Sequence, residues 1–272
     1  MNDDAVLREI ARLGPWHHDV EVAPGIRTAE AARPTGSGDT ALQGAYRPEW
    51  ILDPIVESVF PAGLAGRSFL DCACNAGGLV FAAARSGAGR CFGFDARQHW
   101  IDQAEFLARH LGGENVRFAR CELKDLPAMG LEPFDVTMFK GIFYHLPDPV
   151  AGLRIAADHT KELLVLNTSV LPGKSKGLTL IRESTTHVMS GVDGLAWLPT
   201  GAAVLQDILA WCGFEHVRVD RWFSPNPPGW RRVQILAGRE SSTFAHYDEV
   251  RPAERPSLGR RVLRRLGWGR ED

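Results

Sequence analysis

From Ser68 onward, short continuous apolar runs alternate with stretches in which apolar residues recur at helical spacing. Phe69-Leu70 is one such run, ending in Asp71, and the small-residue stretch Cys72-Ala73-Cys74-Asn75-Ala76-Gly77-Gly78 leads from it into a helix beginning near Leu79. Arg90 to Phe94 reads as the next strand. Gln98 to Leu111 then carries Trp100, Ile101, Ala104, Leu107 and Ala108 on one helical face and stops at Gly112-Gly113, a glycine terminus. Further strands are predicted at Val116–Phe118, Asp135–Phe139 and Leu163–Val170. Such regular alternation implies an α/β fold with a parallel, doubly wound sheet. Val217–Phe223 and Arg232–Ala237, joined by a proline-rich turn holding Trp230, are predicted to form an antiparallel edge.

The flanks are less regular. Asn2 to Leu13 places Ala5, Val6, Ile10 and Leu13 near one helical face, and Gly14-Pro15 ends it. Trp16 to Val22 alternates, with His17-His18 read either as a surface turn or as part of a site; a Pro/Gly/Thr-rich stretch to Gly44 is expected to act as a lid. Tyr46 opens a helix to Phe60, with Ile51, Ile55, Val56 and Val59 facing inward. An insert, Leu171 to Thr200, follows the fifth strand; Thr200 is the expected N-cap of a helix whose inner side is Ala203, Leu205, Ile208, Leu209 and Trp211. The expected organisation is a cap over residues 1–60, a core over 61–240 with its insert at 171–200, and a tail over 241–272. In that tail Leu258, Val262, Leu263, Leu266 and Trp268 alternate with Arg260, Arg261, Arg264 and Arg265, a basic amphipathic pattern suited to the parent domain, a second subunit in a homodimer, an anionic membrane surface or a phosphate-bearing partner.

Composition narrows the classes. With 272 residues and 44% hydrophobic content the chain can bury a full core, and a formal charge of −2 gives no global electrostatic case for nucleic acid. Five cysteines, four of them on or beside core strands, fit reduced thiols in a cytoplasmic protein rather than a disulfide frame. No apolar run reaches membrane-spanning length.

The loop after Asp71 carries the chemistry. Small residues admit a ligand close to the backbone, and the helix start offers unpaired N–H groups to a carboxylate or phosphate. Ala73 and Asn75 stand where a dinucleotide fingerprint wants glycine, so a pyrophosphate cradle is disfavoured. Asp71 can hold an ammonium group, and Asp95 lies about 20 residues past the loop, where a carboxylate reaches ribose hydroxyls. Together with Cys121-Glu122-Leu123-Lys124-Asp125-Leu126-Pro127, these motifs resemble in order and spacing the class I S-adenosylmethionine-dependent methyltransferases. The resemblance implies a Rossmann-like seven-stranded sheet and S-adenosylmethionine as cofactor. It implies cofactor-side roles for Asp71, Ala73, Asn75, Gly77, Asp95, Lys140 and Trp16, with Glu122 and Leu123 at the adenine.

Strand four runs into Lys140-Gly141-Ile142-Phe143-Tyr144-His145, which, with Trp16-His17-His18, Gln103-Ala104-Glu105-Phe106 and Leu166-Asn167-Thr168, resembles the branch holding the wobble-uridine carboxymethyl-transferring enzymes of tRNA and their small-molecule relatives. The resemblance runs from about Gly14 to Gly238 and implies that Tyr144 and His145 stand at the active-site mouth. Those tRNA enzymes grip a carboxylated cofactor with basic residues, including a lysine in the tryptophan-containing segment. Here His17-His18 follow Trp16, which favours ordinary S-adenosylmethionine, although Tyr144 and Arg232 remain where two other grips would be. An alcohol acceptor requires a base, and His145 is the first choice, with Glu183 and His187 of the insert as alternatives. No metal is expected, since Lys140 and Asn167 replace the carboxylates a metal-dependent O-methyltransferase needs. The expected activity is methylation of a hydroxyl on a sugar, oligosaccharide or small polar natural product. Modification of a tRNA base is the alternative, and a non-catalytic cofactor-binding module a third.

Overall fold

Phe69 and Leu70 are neighbours in sequence and fall into two different hydrophobic clusters, because successive side chains of a strand point to opposite faces. Their strand, β3 (Ser68–Cys72), is buried at every position and lies between two parallel partners. The computed structural model describes residues 3–31, 45–173, 176–187, 189–223 and 229–251. In chain order these residues form α1 (Asp3–Leu13), β1 (Glu21–Ala23), β2 (Ile26–Arg27), α2 (Thr28–Ala31), α3 (Glu49–Val59), β3, α4 (Gly78–Arg85), β4 (Arg90–Asp95), α5 (Gln98–Leu111) and β5 (Val116–Arg120). β6 (Phe134–Lys140), α6 (Pro149–Asp158), β7 (Thr160–Val170), β8 (Leu178–Arg182), β9 (Leu195–Pro199), α7 (Ala203–Trp211), β10 (His216–Phe223), β11 (Arg231–Gly238) and α8 (Ala245–Val250) follow.

The main sheet has seven strands in the order β10-β11-β7-β6-β3-β4-β5; β11 pairs antiparallel with both β7 and β10, and the other pairs are parallel. One face packs on α1, α3, α4, α5 and α8, the other on α6 and α7. The sheet is therefore the doubly wound, mostly parallel one that the alternation implies. Connections from β3 and β6 leave in different directions, so their carboxyl ends part and open a crevice, the usual ligand position in such sheets.

Several expectations need correction. The insert is not irregular: β8 and β9 form an antiparallel hairpin of their own, joined to the sheet through a bridge from Leu171 to Thr200. Thr200 is spent on continuing the hairpin, its N–H donating to Gly177 O, and Ala202 occupies the cap position of α7 without any side-chain bond. Trp211 is 62% exposed rather than inward, with Arg154 over its ring. Helix α6 starts where Asp148 Oδ1 accepts the Ala151 N–H and Pro149 fills the first turn. All five cysteines are free thiols, and among the described residues no helix is long and apolar enough to cross a membrane. Most of the expected lid, residues 32–44, and the basic amphipathic pattern of 252–272 lie outside the described residues.

Candidate active site

The turn after β3 is wound through unusual backbone. Ala73 and Asn75 hold φ of 56° and 52°, a region that costs a residue with a side chain energy and that is retained where the surroundings demand it. The Cys74 N–H donates to Phe94 O and Asn75 Oδ1 accepts the Ala76 N–H, which closes the turn against β4. Gly77 has φ of 75°, and a Cβ there would stand 2.4 Å from the Phe118 ring, so only glycine fits. Asp95, at the end of β4, accepts the Asn75 N–H on one oxygen and the Arg97 N–H on the other, each at 3.0 Å. Burial raises the Asp95 pKa, against the pull of those two bonds.

Asp71 sits at the floor of the crevice. It is buried, and its Oδ2 has no hydrogen-bond partner among the described residues. Burial pushes its pKa up to about 8; Lys140 pulls the other way and Asp95 adds to the rise. Beside it the cap closes in: the Gly78 N–H, at the start of α4, donates to His18 Nδ1 at 3.1 Å, which leaves the imidazole proton on Nε2, 2.9 Å from the Tyr46 hydroxyl. Lys140 Nζ donates to that same hydroxyl at 3.0 Å. Burial brings Lys140 down to about 7, with Arg232 adding and Asp71 opposing. His17 falls to about 3 through burial and the charges of Lys140 and Arg232, and burial also keeps His18 neutral.

At the mouth, a 3-10 turn over Phe143–His145 presents two rings. His145 Nδ1 lies 2.7 Å from Glu183 Oε2, and the same oxygen accepts the Gly191 N–H at 3.0 Å. Burial opposes ionisation of Glu183, but the bonds from His145 and Gly191 outweigh it and hold the carboxyl below the usual range. An ionised Glu183 accepts the Nδ1 proton, so Nε2 of the neutral ring carries the basic lone pair. Opposite stands Arg232, its Nε donating to Asn167 Oδ1 at 2.6 Å and its Nη1 at 3.5 Å from the Tyr144 hydroxyl.

These groups surround a cavity of about 520 Å³. Its wall takes in Asp71, Ala73, Asn75, Asp95, Glu122, Leu123, Lys140, Tyr144 and His145 from among the sequence-level candidates. Trp16 is a correction: it is fully buried, its indole N–H is spent on Ile10 O at 2.8 Å, and it packs on Phe106, so it holds the cap to α5 and does not line the cavity. Gly77 shapes the turn without reaching the wall. His187 is exposed, its Nδ1 accepts the Met189 N–H, and it is not part of the cavity wall. Glu183 reaches the site through His145. Sequence reasoning gave no role to Tyr46 or Arg97 and left His17 and His18 open; all four line the cavity. Alternation from Trp16 to Val22 was the one available signal for the histidines. Tyr46 meets Lys140 across 94 positions, which no local pattern reveals.

The donor set fits S-adenosylmethionine. Asp71 offers a buried carboxyl oxygen with no partner among the described residues, a group suited to an ammonium; a second buried carboxylate, Asp95, ends the neighbouring strand, and Leu123 offers an apolar edge. Such a sheet with such a crevice defines a class I S-adenosylmethionine-dependent methyltransferase. The chain belongs to that class: residues 64–204 match the sequence family described as a methyltransferase domain. It is similar to the tRNA U34 carboxymethyltransferases of Marinobacter nauticus, 30% identical over 66% of this chain and 53% of that protein, and of Sodalis glossinidius, 27% identical over 78% and 64%. It thus spans between half and two thirds of their length. Among solved structures, the N-terminal domain of EvdMO1 with S-adenosylhomocysteine bound superimposes with a TM-score of 0.71, at 21% identity over 88% of this chain and 98% of that one. The same domain was also crystallised in the presence of S-adenosylhomocysteine and D-fucose. Magnesium protoporphyrin IX methyltransferase from Synechocystis gives a TM-score of 0.51 at 18% identity over 71% and 79%.

Proposed function

We propose that the chain methylates a hydroxyl group of a sugar or similar small polar molecule, with His145 as general base. The observation that carries this reading is the His145–Glu183 pair at the cavity mouth, bonded through Nδ1 at 2.7 Å, with Nε2 making no hydrogen bond among the described residues. S-adenosylmethionine, when bound, supplies a methyl group already activated as a sulfonium. The protein's task is then to align the acceptor oxygen, take its proton and exclude water. In this reading His145 Nε2 accepts the hydroxyl proton while Glu183 takes the Nδ1–H bond and stabilises the imidazolium that forms. Asp71 holds the cofactor ammonium and Asp95 the ribose. The D-fucose in one EvdMO1 structure favours a sugar. The names of the curated relatives, with Tyr144 and Arg232 side by side, favour a second reading, transfer to a tRNA uridine.

Salt separates the two. Binding to tRNA releases counterions and falls steeply as salt rises, whereas turnover on a neutral sugar is expected to change by less than about twofold between low and physiological salt. Steep loss of activity over that range would favour the nucleic acid.

The raised pKa of Asp71 yields a further expectation. Below about 8 the free enzyme carries a proton on Asp71, and an incoming ammonium must displace it. Affinity for S-adenosylhomocysteine therefore strengthens as pH rises toward that value, by up to about tenfold per unit, with proton release on binding. Calorimetry in buffers of different ionisation enthalpy measures that release. Asp71→Asn is expected to bind more weakly and with a flatter slope, and Lys140→Met isolates the part due to Lys140, which titrates near 7.

A further inference from the structure

Arg97 lies two residues past Asp95, and its backbone N–H is already one of the bonds that fix that carboxylate. Its side chain runs the other way, into the insert. Nη2 stands 3.0 Å from Ser190 O, 3.3 Å from His187 O, 3.4 Å from Thr185 O and 3.5 Å from Gly191 O. Nη2 carries two N–H groups, so the four carbonyls of this one loop share them in charge-assisted, partly bifurcated bonds. That loop is what places the base. Gly191, one of the four carbonyls that accept from Arg97, also gives its N–H to Glu183 Oε2, and Glu183 in turn holds His145. Contact there is tight: a Cβ on Gly191 would stand 2.3 Å from His145 O.

We infer that Arg97 is a positioning residue for methyl transfer: it pins the backbone of Thr185, His187, Ser190 and Gly191 to the cofactor-binding turn and so keeps Glu183 on His145. A continuous set of bonds runs from Asp95, which faces the ribose side of the cavity, through Arg97 and the insert to the imidazole. The inference goes beyond the proposed function and rests on its assignment of His145 as the base. No local sequence pattern marks Arg97, because its partners lie 88 to 94 positions away.

Histidine side-chain ¹H–¹⁵N correlation spectra of ¹⁵N-labelled protein saturated with S-adenosylhomocysteine read the geometry without an acceptor. In the unaltered protein His145, assigned by its loss in His145→Ala, is expected as the Nδ1–H tautomer. Glu183→Ala and Arg97→Ala are both expected to lose that protected Nδ1–H signal, while Arg97→Lys retains part of it. Affinity for S-adenosylhomocysteine is expected to stay within about threefold in the Arg97 variants, since the bond to Asp95 comes from the backbone. An Arg97→Ala spectrum with the Nδ1–H signal intact would overturn the inference. So would Arg97→Ala and Arg97→Lys both losing cofactor affinity along with the signal, which would make Arg97 a structural residue of the turn. The base assignment fails separately, through undiminished turnover in His145→Ala.

Discussion

His145→Ala is expected to lower turnover on a hydroxyl acceptor by about 100-fold to 10,000-fold, the range for loss of a general base, while affinity for S-adenosylhomocysteine stays nearly constant. The split follows from position. His145 stands past the end of β6 in a turn at the cavity mouth, while the groups placed for the cofactor, Asp71 and Asp95, end β3's neighbourhood and β4. Glu183→Gln removes the charge that stabilises the imidazolium and is expected to cost less than His145→Ala, because the imidazole remains. Steady-state kinetics beside calorimetric binding measures both halves. Near-normal turnover in His145→Ala with activity abolished in Glu183→Gln would move the base onto the insert and leave His145 as a pocket wall.

Asp95→Ala is expected to weaken S-adenosylhomocysteine binding by about 3 kcal/mol or more, over 100-fold in the dissociation constant, because charge-assisted bonds to two ribose hydroxyls are worth about 1.5 to 3 kcal/mol each. The carboxylate has a second duty. It also takes the N–H groups of Asn75 and Arg97, so its removal frees the strained turn that lines the cavity. Asp95→Asn separates the two effects: the amide still offers an oxygen to one N–H, so the turn loses less, while the charge on the ribose is gone. An unchanged dissociation constant for Asp95→Ala would remove Asp95 from the cofactor site.

Legibility in the sequence followed the range of the interactions. Helix α5 runs over Gln98–Leu111 as its periodicity and glycine stop predict, and each core strand appears within a few residues of its apolar run. Those signals are local. Asp71, Asp95 and the loop between them were legible for the same reason, since a strand end, a small-residue turn and a following helix lie within one stretch. What escaped was set by distant partners. The first strand of the β8–β9 hairpin is half-exposed without a clean alternation, so nothing in Leu178–Arg182 announced it. Trp211 carried a core residue's chemistry but landed on the outer side of α7 under Arg154, where a cation over the ring offsets its exposure. Trp16 took its cofactor-side role from the family resemblance; its indole bond to Ile10 and its packing on Phe106 are tertiary facts. His187 sits four positions from Glu183 and yet does not line the cavity, since the chain there is a turn and not a helix in which that spacing would share a face.

Transfer of labelled methyl from S-adenosylmethionine, followed in parallel into a panel of mono- and oligosaccharides and into bulk tRNA, with mass spectrometry of whatever becomes labelled, tests the central claim most directly. The expected result is a single methyl group on a sugar oxygen, absent with His145→Ala and insensitive to salt. Label confined to a tRNA base, or a carboxymethyl group on uridine when the carboxylated cofactor is supplied, would contradict it and assign Tyr144 and Arg232 to gripping that cofactor instead.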